Sequence, residues 1–514
     1  MKLFKKSTLG LALTAALTGG TMMGISTTAQ AVNVAADGLG QVMVFPYYST
    51  RNGWATYFNV TNTSETHTIL AKVRWREGYN SRDVRDFNIV LSPNDVWTAA
   101  TVNRADGAGM VTTDQSCTFP ELPIIDDNGT PNVLHDDLTG IDFTNLAYTQ
   151  FGSADNRDKG PEGLDRTREG YFEIIEMGSI TQTTALTNAR SIAVNAKHAK
   201  VGNNTAMPNN CDVVRNMLRS PAVETTVLQI EPPLNVLKGR SVLINGSEGI
   251  AAGYDPLTLA NFFQGTGVGS NLYRDPDDAR PSLIDAFPPT AQIIDDETAS
   301  YVTYNGTPLT ADAVSALITR SAVINDYNIR TDSQTDWVLT FPTKNFYVDK
   351  AFSSTATFAA IGSSGTAPLY PFDSSVNGER FSGTQVGKSC FDVNIGIWDR
   401  EEFDAPPEQV DDSFSPREPD QVSAQNRMCY EANILSFGQS DLFGSNLRKS
   451  LFESDPSQLP GENGWAKLTF GTAGASLPVI GMRVETRNRG DATVNYGFAN
   501  DHAYKGGTFS PASE

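Results

Sequence analysis

Histidine and cysteine are both scarce in this chain, four of each in 514 residues, and that scarcity removes whole classes of chemistry. No CxxC, CxxCH or Cys/His cluster occurs, so zinc, haem and thiol-redox sites have no ligand set. The nucleophile elbow G-x-S-x-G is missing too. Gly438-Gln439-Ser440-Asp441-Leu442 begins like one but carries Leu where the closing Gly is required. Only His67, His135, His198 and His502 are there to serve as a base; His67 lies in a turn, and His198 stands between Lys197 and Lys200 in what reads as an exposed helix. Gly265-Thr266-Gly267-Val268-Gly269 lacks the spacing of a dinucleotide loop and reads as flexible. Basic charge is also short, 39 Lys and Arg against 59 Asp and Glu, a net −20. A field of that sign opposes nucleic acid and anionic membrane surfaces. Past the N-terminus no apolar run has the length of a spanning helix, and the regular ten-residue alternation of an outer-membrane barrel is absent.

What is present begins with Lys2, Lys5 and Lys6, an apolar run at residues 9–17, and Ala29-Gln30-Ala31. These are the charged region, apolar region and A-x-A cleavage site of a secretory signal peptide. The expectation is a leader at residues 1–31, a mature chain starting near Val32, and a periplasmic or extracellular destination. The first cysteine is Cys117, so no lipid anchor is expected at the cleavage site. In an oxidising compartment four cysteines suit structural bridges. Nearest-neighbour pairing joins Cys117 to Cys211 and Cys390 to Cys429, one of three connectivities.

Residues 38–102 carry the clearest pattern. Trp54, Thr56, Phe58 and Val60 alternate with polar residues; Ile69, Ala71, Val73 and Trp75 point one way while Lys72, Arg74 and Arg76 point the other; Phe87, Ile89 and Leu91 continue to a turn at Ser92-Pro93-Asn94-Asp95. Period-two alternation with turn signals every 8–12 residues predicts antiparallel strands in a sandwich. Val60-Thr61-Asn62-Thr63-Ser64, closing one strand before the next, resembles the corresponding hairpin of immunoglobulin-like modules in bacterial surface proteins. The resemblance implies a spacer, stalk or binding platform, an architecture and not an activity. Together with Phe87-Asn88, Leu91-Ser92-Pro93, residues 337–344 (WVLTFPTK) and 398–402 (WDREE), the chain is similar to exported proteobacterial proteins of unassigned function.

Further along, residues 103–159 read as loop, 170–177 as strand, 185–200 and 208–218 as helices, 224–230 and 240–245 as strands, 256–263 as a short helix, and 311–320 as a helix. Strands are then expected at 337–342, 390–398, 429–437, 466–470, 479–485 and 493–498. The predicted fold class is mainly β: two β-sandwich-like regions with a loop-rich middle containing a few short helices. The predicted divisions are 1–31 signal peptide, 32–115 immunoglobulin-like sandwich, 116–330 mixed loop-rich middle and 331–514 β-rich domain. The alternative has the terminal strands sharing one sheet, with the middle as a long insertion.

Candidate chemistry is thin. Asp126, Asp127 and Asn128 with Asp136, Asp137 and Asp142 supply the hard oxygen donors calcium prefers, without the spacing of an EF-hand; Asp275, Asp277 and Asp278 form a second cluster. Asp, Asn and Gly are equally what turns use. Calcium is the only cofactor in view. Glu173 and Glu176 are an acid pair, but three apart on one strand they face opposite sides. Asp399-Arg400-Glu401-Glu402 reads as the charged end of a strand, and Arg489-Gly490-Asp491 as a hairpin turn. Residues 404–420, acidic and proline-rich inside the expected Cys390–Cys429 loop, read as an exposed contact surface. No catalytic set emerges. The first functional expectation is a non-enzymatic exported protein with a structural or binding role and a protein or polysaccharide partner. A polysaccharide hydrolase or lyase is the alternative, requiring Trp337, Trp398 and Trp465 exposed along a groove. Calcium-dependent adhesion or assembly is the third.

Overall fold

In the strand Trp54–Asn62 burial alternates along all nine residues, as a pleated strand with one covered face requires. It pairs antiparallel with Val96–Asn103 on one side and Leu237–Asn245 on the other. A computed structural model describes residues 31–126, 138–149, 160–201, 205–219, 226–295, 298–304, 311–349, 368–381, 388–404, 427–453 and 455–511. Residues 1–30 of the expected leader lie outside that set, and Ala31–Glu514 clusters as one unit.

Two seven-stranded sheets enclose the N-terminal core. One orders Ile250–Tyr254, Leu237–Asn245, Trp54–Asn62, Val96–Asn103, Ala108–Thr112, Leu138–Asp142 and Ile124–Asp126; the other orders Asn33–Val34, Leu257–Ala260, Val42–Ser49, Glu169–Thr181, His67–Glu77, Asp83–Leu91 and Cys117–Phe119. Aromatic rings fill the space between. Phe45 stacks on Phe172 at 4.2 Å, and Phe58 stands 5.7 Å from both Trp75 and Trp97. Such ring pairs add about 0.5–1.5 kcal/mol each beyond the area they bury.

The C-terminal half repeats the plan. One sheet runs Arg427–Met428, Phe391–Asp399, Asn463–Phe470, Thr319–Asn328 and Leu477–Pro478, with Ala503–Gly506 also on Thr319–Asn328. The second runs Arg448–Leu451, Ala432–Phe437, Ser333–Thr340, Ile480–Arg487 and Tyr496–Asp501. Trp337, Phe437 and Tyr327 pack together in one core, while Val338, Ile434, Met482 and Val484 join the core that holds Phe45 and Trp54. Terminal strands therefore lie in separate sheets, and the outer face of the second C-terminal sheet packs against the core that the N-terminal sheets enclose. The fold is mainly β, with few short helices.

The middle region is woven into both N-terminal sheets. It supplies Glu169–Thr181 to the interior of one N-terminal sheet and Leu237–Asn245 to the other, and residues 103–159 contribute four strands of their own. Residues 256–263, expected as a helix, hold the strand Leu257–Ala260, because Leu257 and Leu259 sit in register with Val44 and Val42 at the sheet's margin. Residues 226–230, expected as strand, form a turn closed by Gln229 donating to the Thr226 carbonyl; the prolines that follow at 232 and 233 have no N–H for a ladder. The helices Thr187–Ala196, Cys211–Arg219 and Asp312–Ile318 fall close to expectation. The first ends before His198, since Lys197 turns to extended backbone, so His198 opens the strand His198–Val201 rather than lying in an exposed helix. Both nearest-neighbour disulfides are formed. Cys117–Cys211 ties a sheet edge to a helix, and Cys390–Cys429 ties the start of Phe391–Asp399 to the turn before Ala432–Phe437. Among the described residues no helix is long and apolar enough to cross a membrane.

Candidate functional site

Most sequence candidates are committed to the fold. Asp126 ends the strand Ile124–Asp126 and Asp142 the strand Leu138–Asp142; Asp127, Asn128, Asp136 and Asp137 lie outside the described residues, as do residues 405–420. At the second acidic cluster the carbonyls of Asp275 and Asp278 accept hydrogen bonds from the buried Lys72 ammonium, whose pKa burial lowers to about 8. A side-chain cation already occupies that turn. Among the described residues no group of three or more His, Cys, Asp or Glu is placed to hold a metal.

Glu173 accepts from Arg76 Nε at 2.9 Å and faces Arg74 Nη1 at 3.4 Å. Glu176 turns to the other face of the strand, where its Oε1 accepts from the Leu234 backbone N–H at 2.6 Å and burial holds its pKa well above the usual range. No single site joins them. Ser440 Oγ donates to Asp336 Oδ1 at 2.8 Å, and the Leu442 N–H donates to Oδ2; burial pushes the Asp336 pKa up to about 6. His502 is engaged elsewhere, with the Val338 carbonyl and Asn325, so serine and histidine form no relay. His67 lies among Ser64, Thr66 and Thr181, and His198 is 3.5 Å from Asp95. Gly265–Gly269 is loop, and Arg489-Gly490-Asp491 occupies the turn between Ile480–Arg487 and Tyr496–Asp501, with Gly490 at φ 77°.

One cavity remains open among the described residues, and it is lined by Trp465. Trp398 and Trp465 are direct cross-strand partners in the strands Phe391–Asp399 and Asn463–Phe470. Their inward neighbours Ile397 and Ala466 are buried, so both indoles occupy the sheet's outer face. The rings lie 4.3 Å apart and 18° from parallel. Gly396, two residues before Trp398, makes this possible: a Cβ there would sit 2.3 Å from Trp398 Cη2. The indole thus lies along its own strand, over the missing side chain. On the far side of Trp465, Asp326 holds the opposing register position. The outer face accordingly reads Trp398, Trp465, Asp326 across three strands.

Trp465 remains 38% exposed beside a cavity of about 350 Å³. Asp399 reaches this cavity from a tight turn, its Oδ1 accepting from the Glu401 and Phe403 N–H groups at 2.9 Å each. Glu485, at another wall, is neutralised by Arg483 and Arg487 and accepts from Asn328 Nδ2 at 3.0 Å. Burial lowers the Arg483 pKa, against the pull of Asp326. The Asp326 carboxylate has no hydrogen-bond partner among the described residues. The site offers a flat apolar surface, acceptors and guanidinium donors, and it contains no histidine, serine or cysteine. Of the three tryptophans in question, Trp337 is buried in the core, Trp465 lines the cavity and Trp398 stacks behind it. Asp326, Asn463, Arg483 and Glu485 were not singled out in the sequence; the signal that bears on them is strand register.

Comparison of the chain with family models, with curated proteins and with solved structures finds no match.

Proposed function

We propose that this chain is an exported β-sandwich protein with a binding or structural role in the cell envelope or extracellular space. The observation that carries a binding role over a catalytic one is where its reactive groups lie. Ser440, Asp336, His502 and Glu173 are buried and hydrogen-bonded within the fold, whereas the open cavity presents an indole, carboxylates and guanidiniums. Two of its three carboxylates are engaged, Asp399 with two backbone N–H groups and Glu485 with Arg483 and Arg487, which suits holding a molecule better than the pair of free carboxyls that glycoside hydrolysis uses. Export is supported by the two disulfides, which suit an oxidising compartment, and by the three-part pattern of residues 1–31. The resemblance of residues 38–102 to immunoglobulin-like modules agrees with a platform role.

The test is fractionation of a bacterial host expressing the full chain, with N-terminal sequencing and thiol alkylation. The expected product starts near Val32, is recovered from periplasm or medium, and has no alkylatable thiol before reduction. A full-length cytoplasmic product with reactive thiols refutes export. Turnover of a polysaccharide by the purified protein refutes the non-catalytic reading.

A further inference from the structure

We propose that the cavity beside Trp465 is a saccharide-binding site that seats a neutral sugar ring against the outer indole. This deepens the binding role above and rests on it. A sugar ring has an apolar face of C–H groups and a rim of hydroxyls, and the site is divided in the same way. Trp398 covers one face of Trp465 and leaves the other to solvent, a rigid aromatic surface of the kind that gives large contact at low entropic cost. Around it stand groups that bond hydroxyls: the Asp326 carboxylate, the Asn463 amide and the Asp399 carboxylate. Gly396 gives the platform its flatness. Phe403 is 67% exposed on the turn that frames Asp399.

Charge selects the class. The lining sets Asp326, Asp399 and Glu485 against Arg400 and Arg483, with Arg487 also on Glu485, so an anionic glycan meets no unbalanced positive charge there, and the net charge of −20 opposes its approach. A cationic ligand is disfavoured because one ring face is not a cage, and because Arg400 and Arg483 line the same cavity. The cavity is at the small end of ligand sites, so a single ring binds weakly, at roughly millimolar dissociation constant.

The experiment uses the mature chain with disulfides intact. It is titrated singly with maltohexaose, cellohexaose, laminarihexaose and chitohexaose, with oligogalacturonate and chitosan hexamer as charged probes. Indole fluorescence and calorimetry are the readouts. The expected result is saturable binding of a neutral oligosaccharide at about millimolar or tighter, with quenching of indole emission. Trp465→Ala weakens that binding about tenfold or more, and Asp326→Asn about threefold or more. Both positions are exposed, and unfolding midpoints close to wild type confirm that each variant is folded. Binding unchanged in Trp465→Ala overturns the site while leaving the binding role intact. Preference for a charged probe overturns the neutral class. No binding of any neutral probe up to about 10 mM overturns the saccharide proposal altogether, and the fractionation result stands apart from all three.

Discussion

Replacing His502 tests the electrostatics of the C-terminal core. The ring is buried, centred 5.1 Å from Trp337. Its Nε2 meets the Val338 carbonyl at 3.0 Å, and its Nδ1 meets Asn325 Nδ2 at 3.0 Å. A carbonyl only accepts and an amide nitrogen only donates, so the neutral ring protonated at Nε2 satisfies both. Asn325 is held in that orientation because its Oδ1 accepts from the Asp326 N–H at 2.9 Å and from Asn500 Nδ2 at 3.2 Å. A second proton, on Nδ1, would face a donor. Burial, helped by Arg483 and opposed by the Val338 bond, lowers the His502 pKa from 6.5 to about 4. The unfolded chain therefore takes up a proton near pH 6.5 while the folded chain waits until about 4, and stability falls as pH drops through that window. With a limiting slope of about 1.36 kcal/mol per pH unit, this one group removes about 2 kcal/mol between pH 6.5 and 4.5. His502→Gln lacks the titration and has a pH-independent cost of about 1–3 kcal/mol for altered hydrogen bonds. Urea unfolding of both proteins at a series of pH values gives the wild-type advantage, which is expected to shrink by about 2 kcal/mol on acidification from pH 6.5 to 4.5. Parallel profiles refute the reasoning, and so does a His502 ring resonance titrating near 6.5.

Glu173→Gln leaves Arg74 and Arg76 without the buried carboxylate they share, and a loss of about 3–5 kcal/mol is expected in urea unfolding. Loss below 1 kcal/mol, roughly the worth of an exposed pair, counters that account. Removing Cys117–Cys211, which closes a span of 94 residues, is expected to cost about 4.7 kcal/mol, and removing Cys390–Cys429, with a span of 39, about 4 kcal/mol. Paired Cys→Ala variants checked by chemical unfolding decide the order; equal or reversed losses contradict it. Gly396→Val drives the Trp398 ring off its strand, with loss of the stacking contribution of about 0.5–1.5 kcal/mol; near-ultraviolet circular dichroism should lose the coupled indole signal, and an unchanged spectrum speaks against the geometry.

Local pattern carried much of the architecture. The strand Trp54–Asn62 falls where alternation placed it, and the disulfides follow sequence proximity. Alternation says less about what covers a polar face. Lys72, Arg74 and Arg76 take the face of the strand His67–Glu77 opposite its apolar residues, and all three are buried. Their partners arrive from afar: Glu173 from another strand, Asp83 and Asp86 across a hairpin, and the carbonyls of Asp275, Asp278 and Pro281 from a loop. Period two separates the faces of a strand, but it cannot tell water from a fitted set of ion pairs. The strand Leu257–Ala260 failed for a different reason, because four residues are too few to distinguish a strand from a helix by period. At the cavity, Trp398 was visible as a residue, but its meeting with Trp465 and Asp326 depends on the register of three strands far apart in the chain.

Trp337 and Val338 show how the two sandwiches are joined. They are consecutive, so their side chains take opposite faces of the strand Ser333–Thr340. Trp337 packs with Phe437 and His502 inside the C-terminal sandwich, and Val338 belongs to the core that includes Trp54 and Phe443. From Thr335 to Thr340 the strand is buried on both sides, which fits Trp337-Val338-Leu339 being apolar in succession instead of alternating. Trp54 strengthens the junction by donating from Nε1 to the Leu442 carbonyl at 2.9 Å, and Leu442 in turn donates its N–H to the buried Asp336. Ser440 and Asp336, the nearest approach to a nucleophile and its acid in this chain, are thereby accounted for as part of a joint between sandwiches. The groups that resemble catalytic chemistry lie where burial is deepest, and the groups free to meet a ligand lie on the outer face beyond Trp398.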